Sequence, residues 1–310
     1  MKILITGGAG FIASNIADRY LELGHEVVIV DNLVTGQREN IPAAAKFYEM
    51  DICDDALKNV FEAEKPDIVN HHAAQMDVRK SVADPAYDAG VNVLGAINIL
   101  QNCVKYKVKK FIFASTGGAI YGEQDYFPAD EAHPNRPLSP YGITKLTTEK
   151  YLFFYNHVHG LNYTILRYAN VYGPRQNPHG EAGVVAIFSQ RMLRNEQPRI
   201  NGEGTQTRDY VFVGDVVKAN ELALSGGANQ IFNIGTGIET DVNTLFRHIA
   251  AQMDHEVPEV HAPAQPGEQM RSVLDASYIK KELGWEPTVP LAEGLKRTVN
   301  FFRSKVATPA

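Results

Sequence analysis

At 310 residues, 44% of them hydrophobic, the chain can bury a large core and divide into two lobes. Its net charge of −6 argues against a nucleic-acid surface, whose affinity comes mostly from clustered Lys and Arg. The two cysteines, Cys53 and Cys103, are too few for a disulfide framework or a zinc cage, and no leader-like or membrane-spanning run is visible, so a cytoplasmic protein without membrane contact is expected.

The first thirteen residues are the most informative. Lys2–Thr6 reads as an apolar strand, Gly7-Gly8-Ala9-Gly10 as a turn, and Phe11-Ile12-Ala13 as a helix start. Backbone N–H groups and the positive end of a helix dipole then converge on one spot, where a pyrophosphate can sit. Gly7 allows the tight turn, and Gly10 carries no Cβ to block the ligand. The third glycine position holds Ala13, whose methyl predicts a slightly wider helix–strand approach with cofactor binding retained. Glu26–Asp31 reads as the second strand and ends on Asp31. A carboxylate there hydrogen-bonds a ribose 2′-hydroxyl and repels a 2′-phosphate, which selects NAD over NADP.

Lys46–Met50, Asp67–His72, Lys109–Ala114 and Asn162–Arg167 continue the strands, with Asp88–Lys105 and Tyr141–His157 as long helices between them. This rhythm predicts an α/β fold, a Rossmann-type doubly wound parallel sheet with ligands at the C-terminal strand ends. The cofactor domain is expected over 1–174. Arg175–Gly180 is a polar connection, Val184–Arg194 is helical, and shorter elements run on to Phe302. A smaller C-terminal α/β substrate lobe is therefore expected over 175–310, with segments near 208–240, Phe232–Gly235 among them, returning to the main sheet. The basic run Lys105–Lys110 reads as a solvated face, and Val306–Ala310 as a frayed end. His71 and His72 have no spaced partners, so packed or hydrogen-bonded roles are expected and no metal site.

Tyr141-Gly142-Ile143-Thr144-Lys145 opens the last of those helices, after Pro137-Leu138-Ser139-Pro140. Side chains at i and i+4 share one helix face. An ammonium about 4 Å from a phenol, at an effective dielectric near 20, contributes about 4 kcal/mol. That brings a tyrosine from about 10 toward about 7 and makes it a general base at neutral pH. The spacing alone also fits a surface helix; the upstream cofactor motif decides for catalysis. A third member is expected from the end of the fifth strand, where Thr116 is the candidate and Ser115 its neighbour. Taken alone, Ser-Thr-Gly-Gly is an ordinary turn.

Together these residues resemble the extended short-chain dehydrogenase/reductases, and within them the UDP-glucose 4-epimerase family. The resemblance runs through Thr6–Ile12, Asp31-Asn32-Leu33, Asp51-Ile52, His71–Gln75, Asn92–Gly95, Ser115–Gly122, Tyr141–Lys145, Leu166–Pro174, Arg208–Val211 and Phe232–Gly235, almost the whole chain. It implies that Phe11, Ile12, Asn32 and Gly36 join the glycines and Asp31 around NAD. Asp51 and Ile52 would flank the adenine, and Ala73, Ala74 and Gln75 would line the pyrophosphate and ribose. Asn92 would hold that lining, and Tyr168 would pack near the nicotinamide. Asn170, Val184 and Arg208 would contact a UDP-sugar, Arg208 through its diphosphate. Tyr141 would take the 4-hydroxyl proton as the C4 hydride leaves, giving a 4-keto sugar that turns over and is reduced on its other face.

Several positions depart from the family pattern. The loop after Ser115 is one residue longer than the common form. Gln265 stands where the family has an arginine on the nucleotide, a contact Arg271 could share, and Glu268 replaces a carboxylate expected on a ribose. Ser272 occupies the place of a size gate; because serine is small, UDP-N-acetylhexosamines are expected to fit as well as UDP-glucose and UDP-galactose. A 4,6-dehydratase would need an acid after Thr116, where Gly117 and Gly118 stand; UDP-glucuronate 4-epimerases share the present pattern, and the residues do not separate the two. A silent NAD-sensing protein would be expected to lack the tyrosine or the lysine. The resemblance further implies a homodimer through Asp88–Lys105 and Tyr141–His157.

Overall fold

The computed structural model describes residues 1–178, 183–264 and 269–307. In chain order it comprises β1 (Lys2–Thr6), α1 (Phe11–Glu22), β2 (Glu26–Asp31), β3 (Lys46–Glu49), α2 (Leu57–Glu64), β4 (Ile68–His71), α3 (Val78–Ala83), α4 (Pro85–Ala89), α5 (Gly95–Lys105), β5 (Lys110–Thr116), α6 (Gly117–Ile120), α7 (Pro140–His159) and β6 (Asn162–Tyr168). There follow β7 (Asn170–Tyr172), α8 (Val184–Leu193), β8 (Ile200–Asn201), β9 (Thr207–Phe212), α9 (Val213–Ala223), β10 (Gln230–Ile234), β11 (Glu239–Asp241), α10 (Val242–Ala250), β12 (His261–Ala262), β13 (Arg271–Ser272), α11 (Ser277–Leu283) and α12 (Leu291–Ala307).

Seven strands form one sheet in the order β10-β6-β5-β4-β1-β2-β3, and every pairing is parallel. Its central strands are apolar along their length because helices cover both faces. Ile3 and Ile5 of β1 meet Ile16 and Tyr20 of α1 on one face; Leu4 meets Phe61, Ile99 and Leu152 of α2, α5 and α7 on the other. Each such fully buried side chain contributes about 1.5–3 kcal/mol. Ala13, at the third glycine position, lies inside the first of these clusters. The strand order reverses beside β1, whose last residue Thr6 pairs with Val30 on one side and His71 on the other. Gly7, Asp31 and His72 thereby emerge at one crevice, the place where open α/β sheets bind ligands.

A second, four-stranded sheet runs β11-β9-β13 with β7 on β9, and β8 pairs β12 nearby. Helices α8, α10 and α12 close over it through Phe188, Phe246, Leu295 and Val299. Of the segment 208–240, only β10 joins the main sheet; β9 and β11 belong to the smaller one, and α9 lies against α1. The other differences from the sequence reading have local causes. The helix expected from Asp88 begins at Pro85, capped by the Asp84 side chain, and widens to a π-turn over Gly90–Leu94. Helix α12 continues to Ala307, past the expected fraying point; Thr308–Ala310 lie outside the described residues. Lys110 is not part of a solvated face. It is buried, and its ammonium donates to the carbonyls of Ala223, the last residue of α9, and of Gly226 just beyond it. Burial lowers its pKa to about 8. Among the described residues no helix is long and apolar enough to cross a membrane.

Candidate active site

The glycine turn is built for an anion. Gly7 has φ +72°, and a Cβ there would lie 2.6 Å from the backbone nitrogen of Ala73. Turn and Ala73 loop therefore touch only because Gly7 has no side chain. At Gly10 a Cβ would meet, among the described residues, only the Gly7 carbonyl, 3.1 Å away, so the space beyond is open to them. Gly10 begins α1 without a side-chain cap, and no acidic residue follows in the first turn. The leading N–H groups of a twelve-residue helix thus face open space, as a pyrophosphate requires. Gly8, which the sequence reading passed over, packs on Ile29.

Asp31 closes β2 with its carboxylate accepting from the backbone N–H of Ala9 at 3.0 Å and of Leu33 at 2.8 Å. Burial raises its pKa, and those two N–H groups oppose the rise. Each oxygen keeps acceptor capacity for a ribose hydroxyl. Gly36 lies against Ala9 and the Asp31 carboxylate, so no larger residue fits there. Asn32 donates to Asp51 at 2.8 Å, and Asp51 accepts from the Cys53 N–H at 2.8 Å. Ile52 is buried against Gly95 of α5. These residues fit a bound NAD: a donor-rich helix start for its diphosphate and acceptors for its ribose.

The Ala73–Gln75 loop is clamped from behind. Asn92 accepts the Gln75 N–H through Oδ1 at 2.8 Å and donates to the Gln75 carbonyl through Nδ2 at 2.8 Å. Two residues that the sequence reading missed complete the clamp. The Asp88 carboxylate accepts from Gln75 Nε2 at 2.8 Å and from the Thr144 hydroxyl at 2.8 Å. No motif signals Asp88 because its partners come from three separate segments.

Helix α7 presents the candidate catalytic pair. Ser139 caps it by accepting the Gly142 N–H at 3.2 Å, with Pro140 in the first turn. Gly142 lets α7 approach α6, since a Cβ would lie 2.7 Å from the Ala119 carbonyl. Lys145 is buried, donates to the Ala114 carbonyl at 2.9 Å, and sits 5.8 Å from the Tyr141 ring centroid. The ammonium is thus fixed between β5 and the tyrosine. His71 and His72 lie nearby, and each has a hydrogen bond: His71 Nδ1 with Thr6 Oγ1 at 2.7 Å, His72 Nε2 with the Tyr168 hydroxyl at 3.2 Å. Burial, reinforced by the Lys145 charge, drives His71 well below its ordinary pKa and His72 to about 3. Burial beside Lys145 thus disfavours a positive charge on either ring.

The two hydroxyls of β5 part company. Ser115 is buried and donates to Glu149 Oε1 at 2.7 Å, deep in the α7–β6 packing. Thr116 ends the strand at the crevice, where a Cβ on Gly118 would lie 3.9 Å from both Thr116 Oγ1 and Asn170 Oδ1. Of the candidates for the third role, Thr116 shares its surroundings with a substrate candidate and Ser115 does not. Tyr168 is buried, its hydroxyl accepting from Asn220 Nδ2 at 2.9 Å.

The remaining substrate candidates gather on the smaller sheet. Asn170 pairs with Tyr210, and Ser272 with Arg208. Val184 begins α8 beside that sheet. Arg271 is held by Glu239, Nη2 to Oε1 at 2.6 Å, and stacks 3.7 Å over the Phe127 ring. Gln265 and Glu268 lie outside the described residues.

A dinucleotide cradle with a tyrosine and a lysine on one helix face, the lysine anchored on β5, fits a class of protein: NAD-dependent enzymes that move a proton and a hydride together. Residues 3–235 match the NAD dependent epimerase/dehydratase family, and the chain belongs to it. A UDP-glucose 4-epimerase of Mycolicibacterium smegmatis is 44% identical, covering 98% of this chain and 99% of its own. The crystal structure of a UDP-glucose 4-epimerase from Thermotoga maritima with UDP-glucose is 51% identical, with a TM-score of 0.97 over 99% of this chain and 100% of that one. That of the Thermus thermophilus UDP-glucose 4-epimerase with NAD is 45% identical, with a TM-score of 0.94 over 98% and 99%.

Proposed function

We propose that the chain interconverts UDP-glucose and UDP-galactose by inverting the sugar at C4. Bound NAD supplies a reversible hydride acceptor for that carbon. Tyr141 takes the proton of the 4-hydroxyl as the C4–H bond breaks, and returns it to the 4-keto oxygen when that bond re-forms on the opposite face. Lys145, anchored on the Ala114 carbonyl, holds the phenol in its ionisable state, and Thr116 donates a hydrogen bond to the reacting oxygen. Asn170, Arg208 and Ser272, neighbours on the smaller sheet, hold the UDP-sugar, with Arg208 on the diphosphate and Val184 at its edge. Residues 1–174 with β10 serve the cofactor, and most of 175–310 serves the sugar nucleotide.

The fixed placement of Lys145 between β5 and Tyr141 carries this reading. Purified protein given UDP-glucose or UDP-galactose, with no NAD added, should form the other epimer. Conversion of UDP-glucuronate alone would move the assignment to the related acid epimerases. No conversion of any UDP-sugar by NAD-loaded protein would overturn it.

Ser272 leaves little bulk at its position and lies beside Arg208. UDP-N-acetylglucosamine is therefore expected to be converted, and Ser272→Tyr should lose that activity while keeping most turnover of UDP-glucose. Equal loss of both would remove Ser272 from specificity.

The reading includes a homodimer in the cytoplasm. Leu94 is 64% exposed at the end of a turn that packs on α7, and Ile143, Phe154 and Val158 lie on one face of α7 at 51%, 47% and 53%. Exposed apolar residues grouped on neighbouring elements are expected to be covered. Leu94→Glu should halve the mass measured by light scattering; an unchanged mass would place the contact elsewhere.

A further inference from the structure

Asp88 is fully buried, yet among the described residues none of its hydrogen-bond partners is a cation. Its carboxylate faces three donors: Gln75 Nε2 at 2.8 Å, Asn92 Nδ2 at 3.1 Å and the Thr144 hydroxyl at 2.8 Å. With donors on all three sides the carboxylate is the acceptor throughout, so it fixes the direction of every bond around it. Asn92 must turn its amide nitrogen toward Asp88, which leaves Oδ1 for the Gln75 N–H. Thr144 must donate to Asp88, which leaves its oxygen to accept from Asn92 at 3.2 Å. The π-turn makes this possible. It lies between Asp88 and α5, and the carbonyl of Asn92 within it is bonded by the Thr148 hydroxyl, at 3.0 Å. Such turns often mark functional sites.

Thr144 stands next to Lys145 and one turn from Tyr141. Gln75 belongs to the loop behind the glycine turn. We infer that the Asp88–Thr144 pair is a positioning device, which sets the register of the Tyr141–Lys145 face against the cofactor loop. Neither residue touches the reacting atoms; each acts through the helix and the loop it ties together. This inference rests on the proposed roles of Tyr141 and Lys145.

The full-length protein with its resident NAD provides the test. A misplacement of about 1 Å can lower a rate about a hundredfold, so Thr144→Val should lower kcat by about tenfold or more while KM for UDP-glucose stays within about twofold. Thr144→Ser restores the hydroxyl and should recover kcat to within about threefold of the parent. Thr144→Ala reads the same loss should the valine variant not fold. Undiminished kcat in folded Thr144→Val, or a serine variant no better than valine, would overturn the inference. So would a fall in kcat matched by a proportionate rise in KM. Tyr141→Phe, assayed alongside, separates the outcomes: if it retains turnover, the reading of the site itself fails.

Discussion

Replacing Tyr141 by Phe should lower the epimerisation rate by about three orders of magnitude, the upper part of what general acid–base catalysis contributes. The phenylalanine keeps the ring that faces Lys145 and removes only the phenol oxygen, to which the proton transfer is assigned. Lys145 stays tethered to the Ala114 carbonyl, so the helix face and the cofactor crevice keep their shapes. The variant should therefore retain bound NAD and bind UDP-glucose with KM little changed. A loss confined to kcat is the signature of an interaction made only in the transition state. Lys145→Met should differ in kind. Its ammonium has a buried carbonyl partner, so both turnover and stability should fall. Turnover in Tyr141→Phe within about tenfold of the parent would leave the proton transfer to another group.

What could be read from the chain beforehand follows from how local each signal is. The Lys2–Gly10 turn, Asp31 at the end of β2, and the Tyr141–Lys145 spacing are each written within a few consecutive residues. Backbone conformation, strand end and helix periodicity then place them without further information. The return of Phe232–Ile234 to the main sheet was legible in the same way, from an apolar run long enough for a buried strand. Lys110 was not, because its burial depends on carbonyls at Ala223 and Gly226, more than a hundred residues away. The split of residues 208–240 between two sheets was equally hidden, since strand partners are chosen by tertiary contacts. Thr116 and Ser115 illustrate the limit most closely. They are adjacent, carry the same chemical group and face opposite ways, and only Glu149 on α7 shows which hydroxyl is already engaged.

That same Glu149 carries the largest stability effect expected. Its carboxylate receives Arg167 at two points, Nε to Oε1 at 2.9 Å and Nη2 to Oε2 at 2.6 Å, while Ser115 adds a third donor. The side chains of both partners are about as buried as any in the protein, at 1% and 2% exposed. Burial works against the guanidinium charge, but the carboxylate outweighs it and holds Arg167 above its ordinary pKa. Arg167 Nη1 also donates to the Tyr121 hydroxyl at 3.0 Å, which in turn donates to Asn233 of β10 at 2.7 Å. One ion pair thereby joins α7, β5, β6 and β10, one turn along α7 from Lys145. Two charges taken from water gain little net stability as a pair, but one charge left behind is strongly unfavourable. Arg167→Met should thus destabilise the protein by about 3–5 kcal/mol. In a chain of this size that lowers the unfolding midpoint by roughly 5–8 °C. Adding Glu149→Leu to Arg167→Met should recover a large part of the loss, because the orphaned carboxylate is gone. The double variant should nevertheless turn over more slowly than the parent, since α7 is no longer tied to β6 behind Tyr141 and Lys145. A single variant as stable as the parent, or a double variant less stable than Arg167→Met alone, would show that this pair does not hold the catalytic helix.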